Sequence, residues 1–296
     1  MKVPMGIGVG ACSHSGLVRG SNEDDYLVAM LPGDSPVFLA AIADGMGGAA
    51  GGAEASRTAL RALGTTLLDT ASELDADQRM QRGFRLANTR VSESAAAVPA
   101  LRDMGTTLTA LWLDGQDAVL GHIGDTRLYR LRGDVCESLT TDHAVTEGQS
   151  LLTKCIGGGQ AECDAEGDCL KVSAGDRFVL CSDGVWNVIP PDEFVEIVGD
   201  RDAQATAEWL VKRALDHGGP DNATAVIIDI LNPHAQGSTE ADLPRFERPD
   251  ARSLWPASAS LRPSFSAWLV LVTALVLLLY SSLRWVGIDA LRWFSG

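Results

Sequence analysis

Val37-Phe38-Leu39-Ala40-Ala41-Ile42-Ala43-Asp44-Gly45-Met46-Gly47-Gly48 sets seven apolar residues directly against an acid and a glycine-rich loop. A continuous apolar run of this length, ended by turn residues, reads as a buried strand. Working outward, residues 5–12 and 25–30 read as short strands before it. Two helical stretches follow it, about Ala53–Leu68 and Asp77–Ala97, both rich in alanine and other helix formers. Next comes a set of short strands, Thr106–Leu113, Ala118–Ile123 and Thr126–Leu131, with hairpin signals at Asp114-Gly115 and Arg132-Gly133. Glu162–Val172 is a further strand candidate, and Arg177–Cys181 is a strand running into Asp183-Gly184. Ala203–Leu215 reads as a helix and Ala223–Ile230 as the closing strand. This order lacks the regular alternation of a parallel α/β sheet and implies an α+β fold, with antiparallel sheets covered by helices.

The acids sit at particular places in this order. Asp44 and Asp183 each end an apolar strand and precede a glycine, and Asp125 follows the short strand within Gly121-His122-Ile123-Gly124-Asp125. Asp221 precedes the last strand, and Glu23 and Asp24 precede the strand at 25–30. Taken singly, an Asp-Gly after a strand is an ordinary turn. Taken together, six acids at strand ends are a means of converging oxygen donors, because the sheet fixes their backbone while loops leave room for solvent. Such hard donors suit Mg²⁺ or Mn²⁺. The five histidines lack zinc-site spacing. Two divalent ions a few ångströms apart share a water and favour in-line displacement on phosphorus. Asp44 is best placed to bridge such a pair, and the carbonyl of Gly45 is free to face a cation.

Composition bounds the partners. The 296 residues carry a formal charge of −15. From Asn232 on, six arginines face five acids, so the first 231 residues carry −16. That field repels nucleic acid, which is not an expected partner. The six cysteines include no C-x-x-C pair and read as plain thiols in a reducing compartment. The N-terminal Met1–Gly6 has no apolar core of a signal peptide. Near the C-terminus, Ser264–Leu283 is twenty uncharged residues centred on Leu269–Tyr280, with Trp268 and Trp285 at its edges and Arg262 and Arg284 outside. At 1.5 Å per residue it spans about 30 Å and reads as a transmembrane helix. Arg245, Arg248, Arg252 and Arg262 outnumber Arg284 and Arg292 across it, which puts the main domain in the cytoplasm. The expected organisation is a catalytic domain over 1–231, a proline-containing linker over 232–263, a membrane helix over 264–283 and a short tail over 284–296. The expected location is the inner (cytoplasmic) membrane, crossed once.

Several stretches now line up in order: Gly16-Leu17-Val18-Arg19-Gly20-Ser21-Asn22-Glu23-Asp24, Ala43-Asp44-Gly45-Met46-Gly47-Gly48, Gly105-Thr106-Thr107, Gly124-Asp125-Thr126-Arg127, Cys181-Ser182-Asp183-Gly184-Val185-Trp186 and Asp221-Asn222-Ala223-Thr224. Each is weak alone. As an ordered set over residues 6–230 they resemble the PP2C (PPM) family of metal-dependent protein serine/threonine phosphatases of bacterial type. The resemblance implies a four-layer sandwich of two central antiparallel sheets flanked by helices, with two Mn²⁺ or Mg²⁺ ions in a cleft at one edge. It implies hydrolysis of phosphoserine and phosphothreonine in proteins, substrates of a cognate serine/threonine kinase, by a metal-bridging water or hydroxide. In this pattern Asp44 matches the bridging ligand, Gly45 a carbonyl ligand, and Asp183 and Asp221 direct ligands. Glu23 and Asp24 match acids holding metal-bound waters, and Arg19 the guanidinium that grips the phosphate. Asp125, with Asp183, matches a third, weaker metal site. Asn222 matches a brace for the Asp221 loop.

Two departures stand out. Met46 lies where some eukaryotic members carry a histidine proposed as general acid, and a thioether donates no proton. His143 and His14 are the alternatives, each with a structural or surface role as the plainer reading. Only Ala144–Ser150 separates Leu139–His143 from Leu152–Gly158, so the helical flap of bacterial members is shortened and the cleft more open. Two other activities stay open at this point: hydrolysis of small phosphoesters, and a weakly active membrane-bound regulatory module of the same fold.

Overall fold

The computed structural model describes residues 6–31, 37–48, 51–67, 69, 73–145, 151–160, 163–199 and 201–232. The expected linker beyond Asn232, the expected span Ser264–Leu283 and residues 146–150 of the shortened interval lie outside them. Among the described residues no helix is long and apolar enough to cross a membrane. All six cysteines are described and are free thiols.

In chain order the elements are β1 (Gly6–His14), β2 (Asp24–Leu31), β3 (Val37–Met46), α1 (Gly51–Leu67), α2 (Ala76–Ala97), β4 (Gly105–Thr106), β5 (Leu108–Asp114), β6 (Asp117–Ile123), β7 (Arg127–Arg132), β8 (Val135–Ser138), β9 (Ala144–Val145), β10 (Leu151–Leu152), β11 (Ile156–Gly157), β12 (Cys169–Lys171), β13 (Arg177–Cys181), α3 (Asp183–Trp186), α4 (Pro191–Gly199), α5 (Ala203–Asp216) and β14 (Ala223–Asn232). One sheet has the order β1-β14-β13-β7-β8. The other runs β11-β4-β3-β5-β6-β12, with β2 paired to β3, and β9 and β10 form a separate two-stranded ladder. Every pairing is antiparallel.

The continuous apolar run of β3 has a direct cause. Successive side chains point to opposite faces of a strand. Phe38, Ala40 and Ile42 face a core shared with Phe178, Leu180, Val226 and Ile228 of the other sheet. Leu39, Ala41 and Ala43 face a second core built with Leu63, Met80 and Phe84 of α1 and α2. On the far side, Val179, Ala225 and Ile227 pack against Phe194, Ile197, Leu210 and Val211 of α4 and α5. The layers are therefore helices, sheet, sheet, helices. Strands buried on both faces have no polar face to alternate with, so they lose the alternating pattern.

The structure corrects several elements. The single strand expected over Thr106–Leu113 is divided at Thr107 into β4 and β5. The strand expected over Glu162–Val172 reduces to β12 and one bridge between Glu166 and His122. Asp183-Gly184 opens the helix α3 instead of forming a turn. The nine-residue α4 and the two-residue strands β9, β10 and β11 were not expected.

Candidate active site

The strand register collects the predicted acids at one edge of the sandwich. Asp24 and Asp44 are direct partners at the β2–β3 end. Cys181, two residues before Asp183, pairs with Ala225 on one side and Arg127 on the other, so Asp183, Asp221 and Asp125 share the matching edge of the second sheet. Glu23 and Arg19 lie in the β1–β2 loop beside them.

Each position is held by backbone-directed contacts. The Asp44 N–H donates to Thr107 Oγ1 at 2.9 Å, and the Thr107 N–H donates to the Asp44 carbonyl at 2.9 Å. That mutual pair divides β4 from β5 and fixes Asp44. The Gly45 N–H donates to the Glu23 carbonyl at 3.2 Å. A Cβ at Gly45 would lie 2.1 Å from the Gly52 carbonyl oxygen, so only glycine allows α1 to approach the ligand loop this closely. Ser182 Oγ donates to Asp24 Oδ2 at 2.7 Å and accepts from the Thr224 N–H at 3.0 Å, tying the two sheets together beneath the acids. The Asn222 amide donates to the Ser15 and Ser21 carbonyls and accepts from the Glu23 N–H, each at 2.8 Å. It braces the loop that carries Arg19 and Glu23. Arg19 Nη2 donates to Asp221 Oδ2 at 2.7 Å, with the guanidinium side chain 56% exposed. Trp186 Nε1 donates to the Asp125 carbonyl at 3.0 Å, linking the helix that starts at Asp183 to the Asp125 loop.

The electrostatics are those of crowded like charges. Burial pushes Asp24 up to about 7, against hydrogen bonds from Thr224 and Ser182, with Asp183 and Asp221 adding to the rise. Burial raises Asp44 well above the usual carboxylate range, and Asp24, Asp183, Asp125 and Asp221 push the same way. Burial and Asp183 bring Asp125 to about 7. Asp183 is raised by burial and Asp221, partly offset by a hydrogen bond to Asp44. Glu23 is raised by burial, opposed by Arg19. Buried Asp24 Oδ1 and Asp183 Oδ1 have no partner among the described residues. Burying a carboxylate oxygen unpaired is costly, so such atoms call for a partner from outside the chain. No three His, Cys, Asp or Glu side chains among the described residues form a closed cage. Asp221 is engaged by Arg19 and Asp44 by Asp183, so the acids share an edge without being drawn onto one point.

All eight sequence-selected residues, Arg19, Glu23, Asp24, Asp44, Gly45, Asp125, Asp183 and Asp221, lie at this edge. Thr107, Ser182 and Trp186 belong to the quoted stretches but drew no role from sequence. Comparison with a family model described as protein phosphatase 2C gives a match over residues 12–217. The chain belongs to the protein phosphatase 2C family. Among its relatives, the serine/threonine protein phosphatase PstP of Mycobacterium tuberculosis is 33% identical over 75% of this chain. The match spans 45% of PstP, so the chain corresponds to less than half of that protein's length. The serine/threonine phosphatase stp of Listeria innocua is 30% identical over 72% of this chain and 92% of its own. A crystal structure of the PstP catalytic domain with two manganese ions superposes with a TM-score of 0.66 at 32% identity, covering 76% of this chain and 99% of that one. The four-layer protein phosphatase 2C sandwich is thus the fold of this domain, with the acids gathered at one edge of it.

Proposed function

We propose that the chain is a metal-dependent protein serine/threonine phosphatase that hydrolyses phosphoserine and phosphothreonine monoesters. The observation that carries this is the gathering of Asp24, Asp44, Asp125 and Asp183 at one edge, each raised in pKa by burial and by a neighbouring acid, beside the exposed Arg19. The donor set fits hard divalent cations: carboxylates and a carbonyl, no thiolate or imidazole, and two buried carboxylate oxygens lacking protein partners. In this reading Asp44, the Gly45 carbonyl, Asp183 and Asp221 would hold two Mn²⁺ or Mg²⁺ ions, Glu23 and Asp24 would hold their waters, and Asp125 with Asp183 would hold a third ion more weakly. When bound, such ions supply Lewis acidity that activates water and offsets charge on phosphoryl oxygens.

The chain's own residues do the rest. Arg19 presents a planar fork that orients the non-transferred phosphate oxygens. Its ion pair with Asp221 keeps the fork over the ligand loop. Met46 donates no proton to the leaving alkoxide. His143 Nδ1 accepts from the Gly124 N–H at 3.0 Å, and exposed His14 Nδ1 accepts from the Gly16 N–H at 3.0 Å. Those contacts favour the structural reading of both rings, which leaves water at the acid cluster as the proton source. The short interval between β9 and β10 supports a reduced flap and an open cleft. The test is hydrolysis of a phosphothreonine peptide and an aryl phosphate with Mn²⁺ or Mg²⁺, and its loss in EDTA. Activity undiminished by EDTA overturns the reading, and a strong preference for a sugar phosphate over the peptide moves the substrate to small phosphoesters.

The same proposal includes a membrane anchor at Ser264–Leu283, supported by its apolar length and flanking arginines and tryptophans. The domain's net charge of −16 is repelled by anionic lipid, so attachment falls to the helix alone. The thirty residues Pro233–Arg262 are long enough, as a chain of that length, to span roughly 30 Å, which suits cytoplasmic phosphoproteins of a cognate kinase near the bilayer. Fractionation after a carbonate wash is expected to retain the full chain with membrane and release a 1–240 form. The reverse partition overturns the anchor.

A further inference from the structure

His143 encloses one residue of the acid cluster's framework from both sides. The Gly124 N–H donates to His143 Nδ1 at 3.0 Å, and the His143 N–H donates to the Gly124 carbonyl at 2.7 Å. Gly124 is the residue before Asp125. A backbone N–H only donates, so Nδ1 accepts and the neutral ring carries its proton on Nε2. That nitrogen lies 2.9 Å from Glu166 Oε1, a carboxylate also paired with Lys154, within ion-pair distance but without the geometry of a hydrogen bond. The ring is 7% exposed and stacks on His122 with centroids 4.9 Å apart. His122 is itself fixed: its Nε2 donates to the Thr141 carbonyl at 3.1 Å, and its Nδ1 meets Thr109 Oγ1 at 2.8 Å. Its backbone also exchanges hydrogen bonds of 2.7 and 3.0 Å with Glu166. Every group that orients the His143 ring is therefore tied to the same sheet.

Gly124 is also a position that only glycine can fill, so the clamp acts on an intrinsically permissive residue. Its φ is +113°, and a Cβ there would lie 2.5 Å from Thr107 Cβ and Cγ2, the residue whose hydroxyl fixes Asp44. On the other side of Asp125, the carbonyl is taken by Trp186 Nε1. With Gly124 and the Asp125 carbonyl both held, the backbone that carries the Asp125 carboxylate is fixed on both sides.

We propose that His143 is a positioning residue: by clamping both backbone groups of Gly124 it sets the Asp125 carboxylate for the weakest divalent-cation site. The inference rests on the reading of Asp125 as a metal-ligating acid. Residues that orient a ligand from behind typically contribute tenfold or more to metal affinity.

The experiment is Mn²⁺ binding to the full chain by titration calorimetry, with amide exchange at Gly124 read on the metal-free protein. His143→Asn keeps an acceptor at the Nδ1 position, whereas His143→Gln fills similar volume but carries its amide one bond further. The expected result is that H143Q weakens the weakest Mn²⁺ site about tenfold or more and speeds Gly124 exchange, while H143N stays within about twofold of wild type on both. D125N should remove the same site. If D125N removes a site and H143Q leaves every affinity at the wild-type value, the proposal is wrong and the ligand reading stands. Equal weakening by H143N and H143Q also rejects it, because a role that is only structural would not distinguish the two. If D125N removes no site, the reading of Asp125 fails and the proposal falls with it.

Discussion

β13 has a buried aspartate just before it and a partly buried one just after it, and the two could hardly be treated more differently. Before the strand, Asp176 is 1% exposed, yet its two oxygens meet Arg132 Nε and Nη2 at 2.6 and 2.7 Å and the Ser173 N–H at 2.8 Å. Burial alone would raise its pKa, but the guanidinium and the amide outweigh it and hold the carboxyl below its ordinary value. After the strand, Asp183 meets other acids, has a buried oxygen without a partner among the described residues, and is pushed up. The same strand thus shows a satisfied carboxylate and an unsatisfied one. Where the chain provides its own cation, the acid serves the fold. Where acids outnumber the one nearby guanidinium of Arg19, they weaken the fold and, on the proposed reading, would be offset by bound cations.

The strongest test of that contrast is replacement at the unsatisfied end. D44A and D183A should each lower kcat/KM by about 10³-fold or more, since each removes part of a charge-stabilising set worth several kcal/mol. Their metal-free thermal midpoints should not fall, because one carboxylate fewer relieves repulsion. A large loss of stability in D44A would break the comparison.

R19A comes next. Loss of a charged bidentate contact is expected to cost about 1.5–3 kcal/mol in kcat/KM, mostly as a raised KM, because a grip on non-transferred oxygens acts in ground and transition states alike. An unchanged KM in steady-state assays would assign the Arg19–Asp221 pair to structure.

At the satisfied end the effect should be smaller and of another kind. D176N should lose about 1–2 kcal/mol of stability by denaturant unfolding, discounted because Arg132 is half exposed, with kcat/KM per folded molecule unchanged. A drop in activity without a drop in stability would contradict this.

The last effect is in pH dependence, and the two ends should respond with opposite sign. Asp24 and Asp125 keep protons up to about 7, whereas the unfolded chain loses them near 3.8. Between those values the native state binds more protons than the unfolded one, so stability in EDTA falls as pH rises through the window. Saturating Mn²⁺ should flatten that slope. Asp176, with its lowered pKa, adds stability above its ordinary value and loses it on acidification, so the gap between wild type and D176N should close in acid. A metal-free midpoint that rises from pH 4 to pH 7 would reverse the assignment of the unsatisfied end.

Much of this was legible in the chain. The runs of β3, β13 and β14 mark strands buried on both faces, and acids placed against their ends announce the site. The supports were harder to read. Thr107 breaks an apolar strand only because its backbone and hydroxyl engage Asp44, sixty-three positions away. Ser182 reaches Asp24 across one hundred and fifty-eight. Neither link leaves a periodic trace. α3 has four residues, too few for a helical period, so Asp183-Gly184 read as a turn. α4 did carry signals, Pro191 at its start and Asp192 and Glu193 in its first turn, which the neighbouring strand signals overshadowed. The two-residue β9, β10 and β11 are too short for alternation to register.

β14 lies hydrogen-bonded between β1 and β13, and Asp221 and Asn222 immediately precede it. This has a meaning for the timing of biosynthesis. While a ribosome is still making the chain, β1 has waited through more than two hundred residues for its partner, and the loop with Arg19 and Glu23 has no Asn222 to brace it. Long-range pairing of this kind is slow to close and comes late. The pairing of β1 and β13 through β14, and the brace on the loop of Arg19 and Glu23, are therefore completed only once β14 has cleared the exit tunnel. On the proposed reading, a nascent chain that lacks this segment would be catalytically silent until Asp221 and Asn222 arrive with β14.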